Sequence, residues 1–170
     1  MTRPGNLYGT TLSAVVAALA RMDVAHLGAA WRLTQRGNLF GTTSQGGGAA
    51  KGGTIFKLVP EPNGKWKESV LHRFARDTGD DPFAGLTFDA SGNLYGTATS
   101  RGSADDGVVF KLARGTGGAW TYSVLKTFEG KPGTNPYGGL VLDAAGKLYG
   151  TTLFCANGQK CRGEVFEVTP

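Results

Sequence analysis

The residues with the types and spacing to do chemistry are few, and they sit in short polar segments. Asp77, Asp80 and Asp81 crowd one segment, and Asp105 with Asp106 occupy another. Clustered loop carboxylates can supply part of the oxygen shell that a hard cation such as calcium demands, though that ion wants six or more oxygens. A solvated acidic loop is the alternative, and these five residues are the candidate ligand-binding set. The cysteines, Cys155 and Cys161, lie six positions apart in one segment. Zinc would need further Cys or His ligands, and the chain holds only His26 and His72, far apart in sequence. The spacing favours a disulfide that closes a loop in an oxidising compartment, with free thiols or a redox or metal role as alternatives. No nucleophile pairs with a base, so no catalytic residue is assigned.

Elements that could position these side chains announce themselves by repetition. GNLYGTT at Gly5–Thr11 returns as GNLFGTT at Gly37–Thr43, GNLYGTA at Gly92–Ala98 and GKLYGTT at Gly146–Thr152. The last two steps are 55 and 54 residues, the mark of a repeat architecture. The match runs deeper than the phrase. Thr54–Leu58 aligns with Val108–Leu112 and Glu164–Val168, Trp66 and Ser69–Leu71 with Trp120 and Ser123–Leu125, and Pro82 and Gly85–Leu86 with Pro136 and Gly139–Leu140.

Four apolar or β-branched runs therefore recur per unit, separated by Gly, Pro, Asn and Asp clusters, which predicts four short strands joined by turns. Strand A spans Gly85–Asp89, strand B Asn93–Ala98, strand C Val108–Ala113 and strand D Trp120–Phe128. Asp89, Asn93 and Asp143 read as turn residues, because an Asp side chain holds its own turn and the following Gly supplies positive φ. His72 sits in strand D where the next unit has Lys126, an edge position and not that of a general base. Trp66 and Trp120 open strand D at equivalent positions, which suits packing better than sugar stacking; Trp31 lies outside that pattern.

The fold expected is all-β, built of four-stranded antiparallel blades in a partial or open β-propeller, with a short N-terminal helix-like insertion. Residues 1–36 read as a degenerate first repeat carrying that insertion, and residues 37–170 as the repeat domain, in units 37–91, 92–145 and a partial 146–170. Within the first stretch, Ala29–Thr34 reads as a strand C, which leaves the unit after it without a strand A. The helix-like run Leu12–Arg21 superficially resembles an export signal, but a copy of the repeat phrase precedes it, so no convincing signal peptide is assigned.

The ordered motif GNLYGTT, Gly-Gly-x-Ile-Phe-Lys-Leu, Trp-x-x-Ser-Val-Leu and Pro-x-x-Gly-Leu-x-x-Asp-x-x-Gly-Asn resembles the Gloeo-Verruco (GloVer) tandem repeat of bacterial surface or secreted proteins. Its strand A and B portion is also similar to NHL-type propeller repeats. The resemblance implies an extracytoplasmic propeller-like repeat protein and brings no catalytic or binding residue with it.

Net charge is +5, but Lys and Arg are scattered singly, so a nucleic-acid stripe is not indicated. No run is long and apolar enough to span a membrane. Glycine fills 28 of 170 positions and falls at repeated sites, which marks turns and close packing. Strand C repeats closely while the B to C loops differ, so any binding of a protein or glycan is expected on the loop face. The expected function is a non-catalytic repeat scaffold or binding module. A propeller-type metal-dependent hydrolase or lyase is the alternative, and it would need further blades. Units that lack a strand leave edges open, and two expectations follow: homo-oligomerisation through unpaired blade edges, or an open monomeric arc.

Overall fold

A computed structural model describes residues 32–34, 37–49, 51–130, 133–155 and 163–170. Among these residues the structure is all-β and antiparallel, with three sheets in chain order. The first holds β1 (Arg32–Leu33), β2 (Leu39–Thr43), β3 (Thr54–Pro60) and β4 (Trp66–Arg73). The second holds β5 (Thr87–Phe88), β6 (Leu94–Ala98), β7 (Val108–Arg114) and β8 (Trp120–Thr127). In the third, β10 (Val141–Leu142), β11 (Leu148–Phe154) and β12 (Val165–Val168) run side by side, and β9 (Thr134–Pro136) pairs with the far end of β11. Among the described residues, helix is confined to short 3₁₀ turns at Arg76–Thr78 and Thr116–Gly118. The expected helix-like insertion at Leu12–Arg21 lies outside the described residues.

Among the described residues, each of three copies of the repeat phrase begins at a turn and becomes the second strand of a sheet. Before the copy at Gly92–Ala98, Asp89 accepts the backbone N–H of Asn93 at 2.9 Å and its side-chain amide at 2.7 Å. Gly92 supplies the positive φ of 82° that the tight reversal needs. Asp143 repeats the device with the Lys147 N–H at 2.8 Å and Gly146 at φ 85°. Thr34 does the same before the copy at Gly37–Thr43, its hydroxyl oxygen accepting the Asn38 N–H at 3.2 Å, with Gly37 at φ 76°.

That equivalence corrects one expectation. Arg32 and Leu33 pair with Phe40 and Leu39, as Thr87 and Phe88 pair with Tyr95 and Leu94. The segment ending at Thr34 is therefore a strand A, not a strand C, and the first sheet has all four strands. The apolar string resembled Val-Phe-Lys-Leu, but the distance from the turn residue to the glycine decides the matter. Thr34 precedes Gly37 by the same interval as Asp89 precedes Gly92.

The glycine at the centre of the phrase is dictated by the strand opposite. Gly41, Gly96 and Gly150 face Phe56, Phe110 and Phe166 directly across the ladder. A Cβ on Gly41 would fall 2.6 Å from the Phe56 Cζ, and on Gly96 2.5 Å from the Phe110 Cζ. Gly150 repeats the relation with Phe166. The phenylalanine ring lies over the glycine backbone, and any side chain there would displace it.

The sheets stack face to face through a repeated seam. Ile55 and Phe74 of the first sheet share one core with Leu86, Leu94, Val108 and Phe110. Tyr95, Val109 and Phe128 of the second share another with Leu140, Leu148 and Phe166. Phe74 meets Phe110 edge to face at 5.3 Å, and Phe128 meets Phe166 likewise at 5.0 Å. Polar contacts repeat too. The Thr42 hydroxyl donates to the Ala84 carbonyl at 3.1 Å, and the Thr97 hydroxyl to the Gly138 carbonyl at 3.2 Å. Each fully buried phenylalanine contributes about 1.5–3 kcal/mol by leaving water, so the seam and not the turns holds the sheets together.

Candidate functional site

The loops from β2 to β3, from β4 to β5 and from β6 to β7 interleave at one end of the sheets. The β4–β5 loop is wedged between the other two. Its Asp81 N–H donates to the Gly52 carbonyl at 3.2 Å on one side. On the other, Asp80 and Ser100 exchange backbone hydrogen bonds of 2.8 and 3.1 Å. The next repeat copies the first of these contacts, since the Asn135 N–H donates to the Asp106 carbonyl at 2.8 Å.

Asp80 and Asp81 meet Arg101 here, which the sequence did not pair with them. Arg101 Nε donates to Asp80 Oδ2 at 2.5 Å, while Asp80 Oδ1 accepts the Asp81 N–H at 3.1 Å. Burial pushes the Asp81 carboxyl above its ordinary value, and the Asp80 charge adds to that. A hydrogen bond with Ser100 and the Arg101 charge oppose it. Asp81 adopts a positive φ of 54° and its counterpart Asn135 one of 57°, so the position has a backbone role that Asp and Asn both tolerate.

The other acidic residues stand apart. Asp77 is exposed in the 3₁₀ turn, and Asp105 is exposed at φ 61° on the β6–β7 loop. Asp106 forms a backbone bridge with Arg101. Among the described residues, no three His, Cys, Asp or Glu side chains gather as a metal-ligating set. Cys155 lies just past β11, its Sγ 3.7 Å from the Gly163 carbonyl oxygen, and Cys161 lies outside the described residues.

His72 is packed, not poised. It stacks on Tyr122 of the next sheet at 3.7 Å with rings nearly parallel, and Phe74 meets it edge-on at 5.0 Å. Its Nε2 is buried with no hydrogen-bond partner, and burial lowers its pKa to about 4. Burial also pushes the Tyr122 hydroxyl above its ordinary value, while that hydroxyl donates to the Thr78 carbonyl. Trp120 packs edge-on against Phe40 at 5.9 Å, at the seam. Trp66 lies half-buried at the start of β4, and His26 and Trp31 lie outside the described residues.

One pair escaped the sequence reading. Phe83 and Tyr137 follow the repeated prolines Pro82 and Pro136, and their rings stack at 4.9 Å across adjacent units. Tyr137 remains exposed, so the pair offers a flat aromatic surface beside the loop end. The signal was present as an aromatic after each proline.

Three sheets with superposable turns, glycine–phenylalanine pairs and seams define an all-β tandem-repeat protein. The chain belongs to the Gloeobacter/Verrucomicrobia repeat family, whose model matches residues 12–170. The match begins before the first full phrase–sheet unit, in keeping with the complete strand set of the first sheet. No curated protein is significantly similar to the chain. Among the described residues, no helix is long and apolar enough to cross a membrane.

Proposed function

We propose that this chain is a non-catalytic, extracytoplasmic repeat scaffold of propeller type that binds a protein or glycan through its loop end. One observation carries the reading: the loops of successive units interlock by backbone hydrogen bonds, so side chains that differ between units are presented on one continuous surface. Within it, Arg101 and Asp80 offer an ion pair at the rim, and Tyr137 an exposed aromatic face. Arg and Tyr are among the residues that dominate binding surfaces. The packed state of His72 supports a role without acid–base chemistry. A disulfide between Cys155 and Cys161 belongs to the same proposal, as a closure for the β11–β12 loop in an oxidising compartment.

The test is retention of the purified chain on immobilised bacterial cell envelope, before and after protease digestion of the envelope. Wild type is expected to bind, and Arg101→Gln and Tyr137→Ala each to weaken binding about tenfold, or ~1.4 kcal/mol, at a temperature where the unfolding midpoint, measured alongside, shows each variant still folded. Loss of binding after protease treatment assigns a protein ligand, and its survival a glycan. Failure of wild type to bind, or binding that ignores both substitutions, contradicts the proposal.

A further inference from the structure

The first sheet has a buried apolar face that neither seam accounts for. Phe56 and Leu58 alternate along β3, so they share that face, and they are 1 % and 0 % exposed. Glu68 in β4 stands opposite Leu58 on the same side, and its Oε2 is buried with no hydrogen-bond partner. Neither Phe56 nor Leu58 belongs to either of the two cores. Their counterparts Phe110 and Leu112 are covered by the preceding sheet, where Phe74 meets Phe110 edge to face and Leu71 packs against the same core. Phe166 and Val168 are covered likewise by Phe128 and Leu125. Each receiving face therefore takes a leucine, and three positions later a phenylalanine, from the close of the preceding unit's fourth strand.

The sequence before Arg32 holds a third such pair. Val16 precedes the turn residue Thr34 by 18 positions, as Leu71 precedes Asp89 and Leu125 precedes Asp143. Leu19 precedes Thr34 by 15, as Phe74 and Phe128 precede those aspartates. Ala14-Val15-Val16 then falls on Ser69-Val70-Leu71 and Ser123-Val124-Leu125 without a gap, and the family match, which begins at residue 12, takes in the same stretch. We infer that the face of Phe56 and Leu58 is a docking surface whose occupant is this chain's own residues 12–19, with Val16 and Leu19 in the places that Leu71 and Phe74 take at the next seam. Residues 12–19 carry no charge, which suits a partner for two buried apolar side chains. The positions of the His72–Tyr122 stack change together at this contact, to Ala17 on one side and Glu68 on the other. A face closed within one molecule leaves no room there for a second copy.

Urea unfolding of the full chain tests the inference. Leu19→Ala is expected to lower the folded-to-unfolded ratio at least about thirtyfold, ~2 kcal/mol, as truncation of a packed leucine does. Ala14→Lys should change it by about twofold or less, because its counterparts Ser69 and Ser123 are exposed. Leu19→Ala combined with Phe56→Leu should lose at least about threefold less than the product of the two single losses, since the residues touch. Leu19→Val carries the same cycle if Leu19→Ala does not fold. A Leu19→Ala protein within about twofold of wild type overturns the inference. Strictly multiplicative losses in the cycle overturn the placement of Leu19 on Phe56. A wild-type unfolding midpoint that rises with protein concentration overturns the choice of occupant, in favour of a second copy of the chain.

Discussion

Gly96 lies beneath the ring of Phe110, so close that a Cβ would stand 2.5 Å from the phenylalanine Cζ. Both residues are buried in the middle of the second sheet, with Gly96 opposite Phe110 in the ladder. Gly96→Ala is therefore expected to cost about 1–3 kcal/mol through overpacking. Urea unfolding checks the value. Adding Phe110→Leu to Gly96→Ala should make the pair less destabilised than the sum of the two single changes, because the smaller side chain vacates the contested space.

Asp89 holds the turn before β6 with three partners: the Asn93 N–H, the Asn93 side-chain amide and the Tyr95 hydroxyl at 3.0 Å. Burial pushes its carboxyl up, but these hydrogen bonds win and hold it below its ordinary value. Asp89→Ala is expected to lose about 1 kcal/mol. Asp89→Thr should recover part, since Thr34 performs the same turn in the first sheet. The sign with pH follows from the lowered value. The contribution is present above the ordinary value of 3.8 and is lost as pH falls through the folded-state value below it.

His72 predicts an acid-side loss of stability at higher pH. Its folded-state pKa is lowered from 6.5 to about 4, so the unfolded chain binds a proton that the folded chain refuses between those values. Stability from this site is full above about 6.5 and declines as pH falls to about 4. The group is only partly shielded from solvent, which reduces the effect. His72→Phe should preserve the stack on Tyr122 and flatten the decline, and unfolding midpoints at pH 7 and 4.5 compared between the two proteins measure it. An identical decline in both would show that other groups cause it.

Thiol labelling separates the proposed compartment from a reducing one. Protein secreted into an oxidising medium is expected to label at neither Cys155 nor Cys161 until reduced, and at both afterwards. Labelling of either residue without reductant would count against the disulfide and the extracytoplasmic reading together.

Much of the framework was legible because it is written three times. The four-strand pattern, the Asp-x-x-Gly turn and the buried Phe of strand C were each visible as alignments, and they appear as β5–β8 with nearly the expected bounds. The first strand A, Arg32–Leu33, was not legible because Ala29–Thr34 shares the apolar spacing of a strand C, and a threonine stands where the other described copies carry aspartate. The Asp80–Arg101 pair was not legible. It depends on the β4–β5 loop crossing to the β6–β7 loop of the next unit, a contact between residues 21 positions apart that no local pattern encodes. Of the Phe83–Tyr137 stack only the aromatic after each proline was legible; that the two rings meet depends on the units lying side by side.

The central claim is that a single repeated seam joins these sheets, with Phe74 on Phe110 as its first instance and Phe128 on Phe166 as its second. A double-mutant cycle with Phe74→Leu and Phe110→Leu, read by urea unfolding, tests it most directly, since leucine keeps enough bulk for the variants to fold. The account predicts that the two changes are coupled by about 0.5–1.5 kcal/mol, as buried edge-to-face aromatic pairs are. Strictly additive losses, with no coupling beyond about 0.3 kcal/mol, would contradict it.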